Sequence, residues 1–115
     1  MAMNAAKVSL VPGGLAVSRL VAGVWRLNEW GQDFGVRRAW LDACLDAGID
    51  TFDHADLYGH QTCEGLFGDL LRAEPSLRDR LTLITKCGIR LAGTSPSPDV
   101  APLPIKVYDT GTAHI

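Results

Sequence analysis

The spacing of hydrophobic residues changes period several times along the chain, and each change marks an element. Val8 and Leu10 alternate with polar or small neighbours ahead of the turn signal Pro12-Gly13-Gly14, so Lys7 to Leu15 predicts a short hairpin. Leu20 to Trp25 follows as a nearly continuous apolar run, the pattern of a strand buried on both faces in a parallel sheet. Gly23 inside it marks close approach by a ligand or another backbone. From Val36 to Ala47 the period lengthens: Trp40, Ala43, Cys44 and Ala47 fall at i, i+3, i+4 and i+7, with Arg37, Arg38, Asp42 and Asp46 mostly off that stripe. That predicts a helix, and Gly48 stands where a glycine ends one.

Ile49 to Asp53 is short, β-branched and aromatic, and predicts a second strand. A second helix is expected over Thr62 to Ala73, where Cys63, Leu66, Phe67, Leu70 and Leu71 form one apolar face and Pro75 stops the run. Leu81 to Lys86 reads as a third strand. Leu91 to Pro104 holds four of the six prolines and no period, and 91–108 reads as one irregular Pro-rich loop. Beyond Lys106 an extended piece and the opening of a helix are expected, capped by Asp109 or Thr110. Strand, helix, strand, helix, strand implies parallel βαβ units with right-handed crossovers. Apolar parallel strands need helices on both faces or a closed barrel, and three strands supply neither, so the chain reads like the opening of a larger α/β protein.

Composition narrows the class. Of 115 residues 47% are hydrophobic and 21% charged, with a formal net charge of −2, which suits a globular domain and argues against disorder or a nucleic-acid partner. No run approaches the ~18 apolar residues of a membrane span. Cys44, Cys63 and Cys87 are odd in number and form no C-x-x-C pair, and the N-terminus is too polar for a secretory signal, so a reducing cytoplasm is expected. Cys44 and Cys63 fall on apolar helix faces and read as small buried hydrophobes.

Candidate chemistry gathers where parallel strands end, because ligands bind at their C-terminal ends. Asp53 closes the second strand, Tyr58 lies five residues on, and Lys86 closes the third strand. A phenol releases its proton only near pH ~10 in isolation, and a neighbouring ammonium favours the phenolate. A carboxylate beside the ammonium holds it in place. Together the three make Tyr58 a candidate general acid for an alkoxide forming from a carbonyl. Strand-end placement alone favours structural roles instead: Asp53 capping a turn, Tyr58 packing a loop, Lys86 solvated. His54, Asp56 and His60 place three donors within seven residues, but no fourth donor or supporting partner is visible, and no metal is expected. Glu64 sits in the first turn of the second helix, where a carboxylate suits the helix dipole.

These residues also carry a resemblance. Asp53-His54-Ala55-Asp56-Leu57-Tyr58-Gly59 resembles the Asp-x-Ala-x-x-Tyr-Gly signature of the aldo/keto reductases. Ile84-Thr85-Lys86-Cys87-Gly88 is similar to that family's third-strand lysine motif, and the spacing of 28 residues from Tyr58 to Lys86 fits it. Gly23-Val24-Trp25-Arg26 resembles the end of its first strand, the N-terminal hairpin resembles the plug at the bottom of its barrels, and Tyr108-Asp109-Thr110 is similar to the stretch before its third helix in one bacterial branch.

The resemblance implies a partial (β/α)8 barrel of the α/β class: the hairpin plus about three of eight βα strands, with residues 1–115 as the N-terminal part. It implies NADP(H) as cofactor and a small aldehyde or ketone as substrate. Hydride would pass to the carbonyl carbon and Tyr58 would protonate the oxygen, with Lys86 easing release of that proton and Asp53 anchoring Lys86. Gly23, Val24, Trp25 and Asp53 would border the nicotinamide, and Trp25 and Trp30 would line a substrate pocket; Trp40 is expected in the core. A whole barrel takes about 250 residues, and the family's catalytic histidine and 2′-phosphate contacts lie on later strands. A truncated chain that is inactive alone is therefore expected. The competing reading is a non-catalytic remnant, or part of a split protein whose partner completes the barrel by pairing with the open sheet edges.

Overall fold

The computed structural model describes residues 6–92 and 105–115. They fall into two compact units, one running to Thr85 and one from Lys86 onward.

The first unit opens with an antiparallel hairpin, β1 (Lys7–Ser9) against β2 (Ala16–Ser18). A parallel three-stranded sheet follows in the order β3 (Ala22–Gly23), β4 (Thr51–Asp53), β5 (Thr82–Ile84). Two helices make the crossovers, α1 (Phe34–Asp46) and, after a single turn α2 (Tyr58–Gln61), α3 (Cys63–Ala73). This is the predicted partial α/β architecture, with no closed barrel among the described residues.

The start and stop of α1 are written in its flanks. The Asp33 carboxylate accepts the Val36 N–H at 2.9 Å, satisfying a donor that the first turn leaves without an intrahelical partner. Gly48, at φ +78°, ends the helix. Its N–H bonds to the Leu45 carbonyl, and the Ile49 N–H reaches back to that of Cys44 at 2.8 Å, the paired closure that a left-handed residue allows. Both helices lay their apolar faces on one side of the sheet. Phe52 is wholly buried there, its ring centroid 5.2 Å from Phe67 and 5.6 Å from Trp40. Leu41, Cys63, Leu70 and Leu77 complete the packing.

Three expectations change. The run Leu20 to Trp25 is not buried on both faces. Only Ala22 and Gly23 pair, with β4 alone, and Leu20, Val21 and Trp25 are exposed because nothing among the described residues of this unit covers that edge. Arg37, expected on the polar side of α1, is buried. Its guanidinium donates to the Leu66 carbonyl at 2.7 Å and lies 3.6 Å from Asp69, so the charge enters the α1–α3 contact with its own partners.

The segment read as irregular over 91–108 contributes strand at both ends. In the second unit β6 (Ile89–Ala92) pairs antiparallel with β7 (Ile105–Tyr108), while 93–104 lies outside the described residues. Ile89, Leu91, Ile105 and Val107 alternate with Arg90 and Lys106, and that two-residue period drives the pairing whatever the composition between the strands. The Asp109 carboxylate then accepts the Gly111 N–H at 3.0 Å and faces Arg90 at 3.3 Å, closing the turn in which the His114 N–H bonds the Gly111 carbonyl.

The Gly111 N–H, and after it Arg90, hold the Asp109 carboxyl below its usual range. A depressed carboxyl contributes stability above its unfolded-state value and loses it as pH falls through the folded one. We therefore expect the Gly111–His114 turn to loosen only well into acid. An NMR pH titration should show the Gly111 amide and the Asp109 carboxyl moving together, with a midpoint below that of an exposed aspartate.

The hairpin is tied to the sheet by a buried reciprocal clamp. The Ser18 N–H donates to Thr51 Oγ1 at 2.9 Å, and the Thr51 N–H donates to Ser18 Oγ at 3.1 Å. Lys7 pairs with Asp50 beside it. Thr51→Val keeps the side-chain volume but strands the Ser18 N–H, and should cost about 1–3 kcal/mol. Urea denaturation measures it, and a loss below about 0.3 kcal/mol would mean that the clamp does not hold.

Candidate active site

The clamp fixes the bottom of the sheet, and the candidate residues gather at the other end. Register places Gly23, Asp53 and Ile84 side by side as the last paired residues of β3, β4 and β5. Phe52 and His54 both touch Phe67 of α3. Because side chains alternate along a strand, Asp53 between them points to the opposite face, the one a barrel would enclose. The ladder continues past the strand ends: the Val24 N–H donates to the Asp53 carbonyl at 3.2 Å and the His54 N–H to that of Ile84 at 2.7 Å.

Tyr58 stands at the start of α2, its N–H bonded to the Ala55 carbonyl. The residues after it are wound the wrong way for L-amino acids: Gly59, His60 and Gln61 have φ of +61°, +51° and +68°. Only glycine takes that region without strain. At Gly59 space forbids a side chain as well, since a Cβ would lie 2.6 Å from Cys63 Sγ and 2.7 Å from Asn28 Oδ1. The Cys63 thiol, wholly buried, donates to Asn28 Oδ1 at 3.4 Å, joining the turn Leu27–Trp30 to the start of α3. The tight turn therefore packs Tyr58 toward the end of β3, where its ring centroid lies 6.5 Å from that of Trp25. Trp25 is 61% exposed at this rim and carries the Arg26 guanidinium 5.1 Å above its ring.

Asp53, Tyr58, Gly23 and Trp25 thus share one end of the first unit. Val24 belongs there by its backbone only, its side chain being wholly buried in the core. Lys86 opens the second unit, directly after Thr85, and is exposed. Trp30 turns away from the rim and packs edge-on against Trp40 at 5.5 Å. Trp40 is half-buried against Phe52 and Phe67. Of the three metal candidates, His54 is buried against Phe67 at 4.7 Å, Asp56 is half-buried and His60 is exposed. Among the described residues no cluster of three or more histidine, cysteine, aspartate or glutamate side chains suits a metal ion. Of the cysteines, Cys63 is buried, Cys87 is exposed, and partial burial pushes the Cys44 thiol up. The Asn28–Cys63–Gly59 contact carries no periodic signal. Only the Tyr-Gly pair hinted at it.

An antiparallel hairpin, parallel strands joined by helices on one side, and a polar set at the strand ends define the class: a partial α/β fold of parallel βα units. The chain belongs to the aldo/keto reductase family, whose family model matches residues 19–104. It is 45% identical over 101 residues to the uncharacterized oxidoreductase YcsN of Bacillus subtilis, covering 88% of this chain and 32% of that protein. It is 39% identical over 102 residues to 6-dehydroglucose reductase of Agrobacterium fabrum, covering 88% and 33%. A crystal structure of an aldo-keto reductase from Pseudomonas aeruginosa superposes with a TM-score of 0.73 at 27% identity, covering 97% of this chain and 38% of that one. The chain thus spans about a third of the length of the curated relatives it matches.

Proposed function

We propose that this chain supplies the first third of an NADP(H)-dependent reductase of aldehydes or ketones, with Asp53, Tyr58 and Lys86 as its catalytic groups. The observation that carries the reading is the shared rim: Asp53 on the enclosed face of β4, in register with Gly23, and Tyr58 held beside Trp25 by a turn that admits no side chain at Gly59. Gly23 suits a neighbouring planar ring, because a Cβ there would meet nothing within 4 Å and the strand end is open. Gly23, Trp25 and Asp53, with the backbone of Val24, would hold the nicotinamide. NADPH, when bound, supplies the hydride.

The chain's own residues do the rest. The Tyr58 O–H donates its proton to the carbonyl oxygen as that oxygen gains charge. The Lys86 ammonium eases the release of that proton, and Asp53 orients the ammonium. The exposed Trp25 ring offers a flat surface to the substrate. The likeness to a 6-dehydroglucose reductase supports a small polar carbonyl compound. The cytoplasm is the proposed compartment, which suits three cysteines that form no disulfide. Association through the open edges of the sheet is part of the same reading, because β3 and β5 each pair with β4 alone within it.

The test is to fuse residues 1–115 to the remaining two-thirds of the Bacillus relative and follow NADPH consumption with a nitrobenzaldehyde and with a dehydro-sugar. Turnover that depends on Tyr58 supports the reading. A folded fusion that binds NADPH but reduces neither substrate, while the intact Bacillus enzyme reduces one of them, overturns it in favour of a non-catalytic remnant.

A further inference from the structure

The two walls of the rim meet at a single sulfur atom. Trp25 is exposed, so burial does not fix its ring, and the ring leans on the position of its backbone. The chain is anchored on either side of it. Val24 and Leu27 are buried, and the Leu27 N–H donates to the Val24 carbonyl at 3.0 Å. Between those anchors the Trp25 carbonyl lies 3.6 Å from Cys63 Sγ, and Asn28 Oδ1 lies 3.4 Å from the same atom.

Cys63 is wholly buried at the start of α3, and its sulfur also fills the space beside Gly59, where a Cβ would lie 2.6 Å from it. It therefore touches both the turn that follows Tyr58 and the loop that carries Trp25. A thiol has one proton and is a weak donor, so the two carbonyl oxygens share it. An apolar side chain would fill the same space but leave both oxygens facing it without a donor. The two walls do not depend on this atom equally. Tyr58 has ties of its own: its N–H bonds the Ala55 carbonyl at 3.1 Å, and its carbonyl accepts the Thr62 N–H at 3.2 Å. Loosening the sulfur contact thus frees Trp25 and leaves Tyr58 in place.

We propose that Cys63, with Asn28, is a positioning residue of the rim: its thiol latches the Trp25–Asn28 loop to the turn after Tyr58. The latch sets the Trp25 ring at its 6.5 Å from the phenol ring. Its effect on turnover rests on the reductase reading, whereas the latch itself does not, so the two can fail separately. With the latch released, substrate holds less well to the Trp25 ring while Tyr58 still gives up its proton. KM rises and kcat holds, because the lost contact serves bound substrate and transition state alike. That is the reverse of the loss expected when the phenol itself is removed.

Four substitutions test it. Cys63→Ala removes the donor and Cys63→Ser keeps one. Asn28 is exposed, so Asn28→Ala removes an acceptor without touching the core. Cys44→Ala, at a half-buried cysteine packed against the same core, controls for lost packing. The 115-residue chain labelled with 5-fluorotryptophan gives three fluorine resonances, and that of Trp25 is the one missing from Trp25→Phe. Cys63→Ala and Asn28→Ala should move the Trp25 resonance toward that of the free amino acid and leave that of Trp40 in place. Cys63→Ser should move it less, and Cys44→Ala not at all. In the fused enzyme Cys63→Ala and Asn28→Ala should raise KM about three- to tenfold, the span of one ordinary hydrogen bond, with kcat held within about twofold. A Trp25 resonance unmoved by Cys63→Ala and Asn28→Ala, an equal shift in Cys44→Ala, a serine no better than alanine, or a fall in kcat at unchanged KM would each overturn the proposal. A fusion that turns over neither test substrate fails the reductase reading alone, and the fluorine resonances then decide the latch.

Discussion

Tyr58→Phe in the fused enzyme is expected to lower kcat by about a hundred- to ten-thousand-fold, the range in which a positioned general acid contributes. Each factor of ten corresponds to about 1.4 kcal/mol of barrier. The substitution removes one oxygen and keeps the ring, so the 6.5 Å pairing with Trp25 and the turn at Gly59–Gln61 stay intact. KM should therefore change little. Loss confined to kcat is the signature of an interaction made only in the transition state. A parallel loss of NADPH binding would instead mean that the phenol shapes the site without giving up its proton.

Phe52→Ala should remove most of the stability of the first unit. The side chain is wholly buried and touches the rings of Phe67 and Trp40, so it joins β4 to both helices. Deleting a ring from such a place costs about 3–5 kcal/mol, because the lost burial is compounded by the cavity left behind. Whole domains of this size hold only about 5–15 kcal/mol. Urea titration of the 115-residue chain should show the transition moving to low denaturant, with Phe52→Leu retaining most of the parent midpoint. A loss below about 1 kcal/mol for Phe52→Ala would mean that the helices do not close on the sheet there.

The alternation of strands and helices was legible because each periodic segment is long enough for its own period to show. The apolar face of Cys63, Leu66, Phe67 and Leu70 matches α3 almost residue for residue, and Gly48 marked the end of α1. Strand burial was harder to read. Leu20 to Trp25 has the same composition whether or not a neighbour covers it, and an uncovered edge leaves no mark in the strand's own residues. Arg37 misled because a charge at helical spacing reads as solvent-facing, and the carbonyl of Leu66 that accepts it lies on another helix, 29 residues away. The β6–β7 pairing was masked by the prolines between its strands, although Ile89, Leu91, Ile105 and Val107 carried its period. At the rim, Asp53 and Tyr58 were legible from their motif, because five residues suffice to bring a strand end to the next turn. The Asn28–Cys63 contact was not, since a loop asparagine meets a helix cysteine only once α3 has docked.

The most direct test of the central idea is a double-substitution cycle in the fused enzyme, with kcat measured for Tyr58→Phe, Lys86→Met and the pair. If the ammonium works by easing the release of the phenol's proton, removing it after the phenol is gone changes nothing, and the double variant turns over as slowly as Tyr58→Phe alone. If the two losses multiply, the groups act independently, and the coupled proton donor at this rim is contradicted.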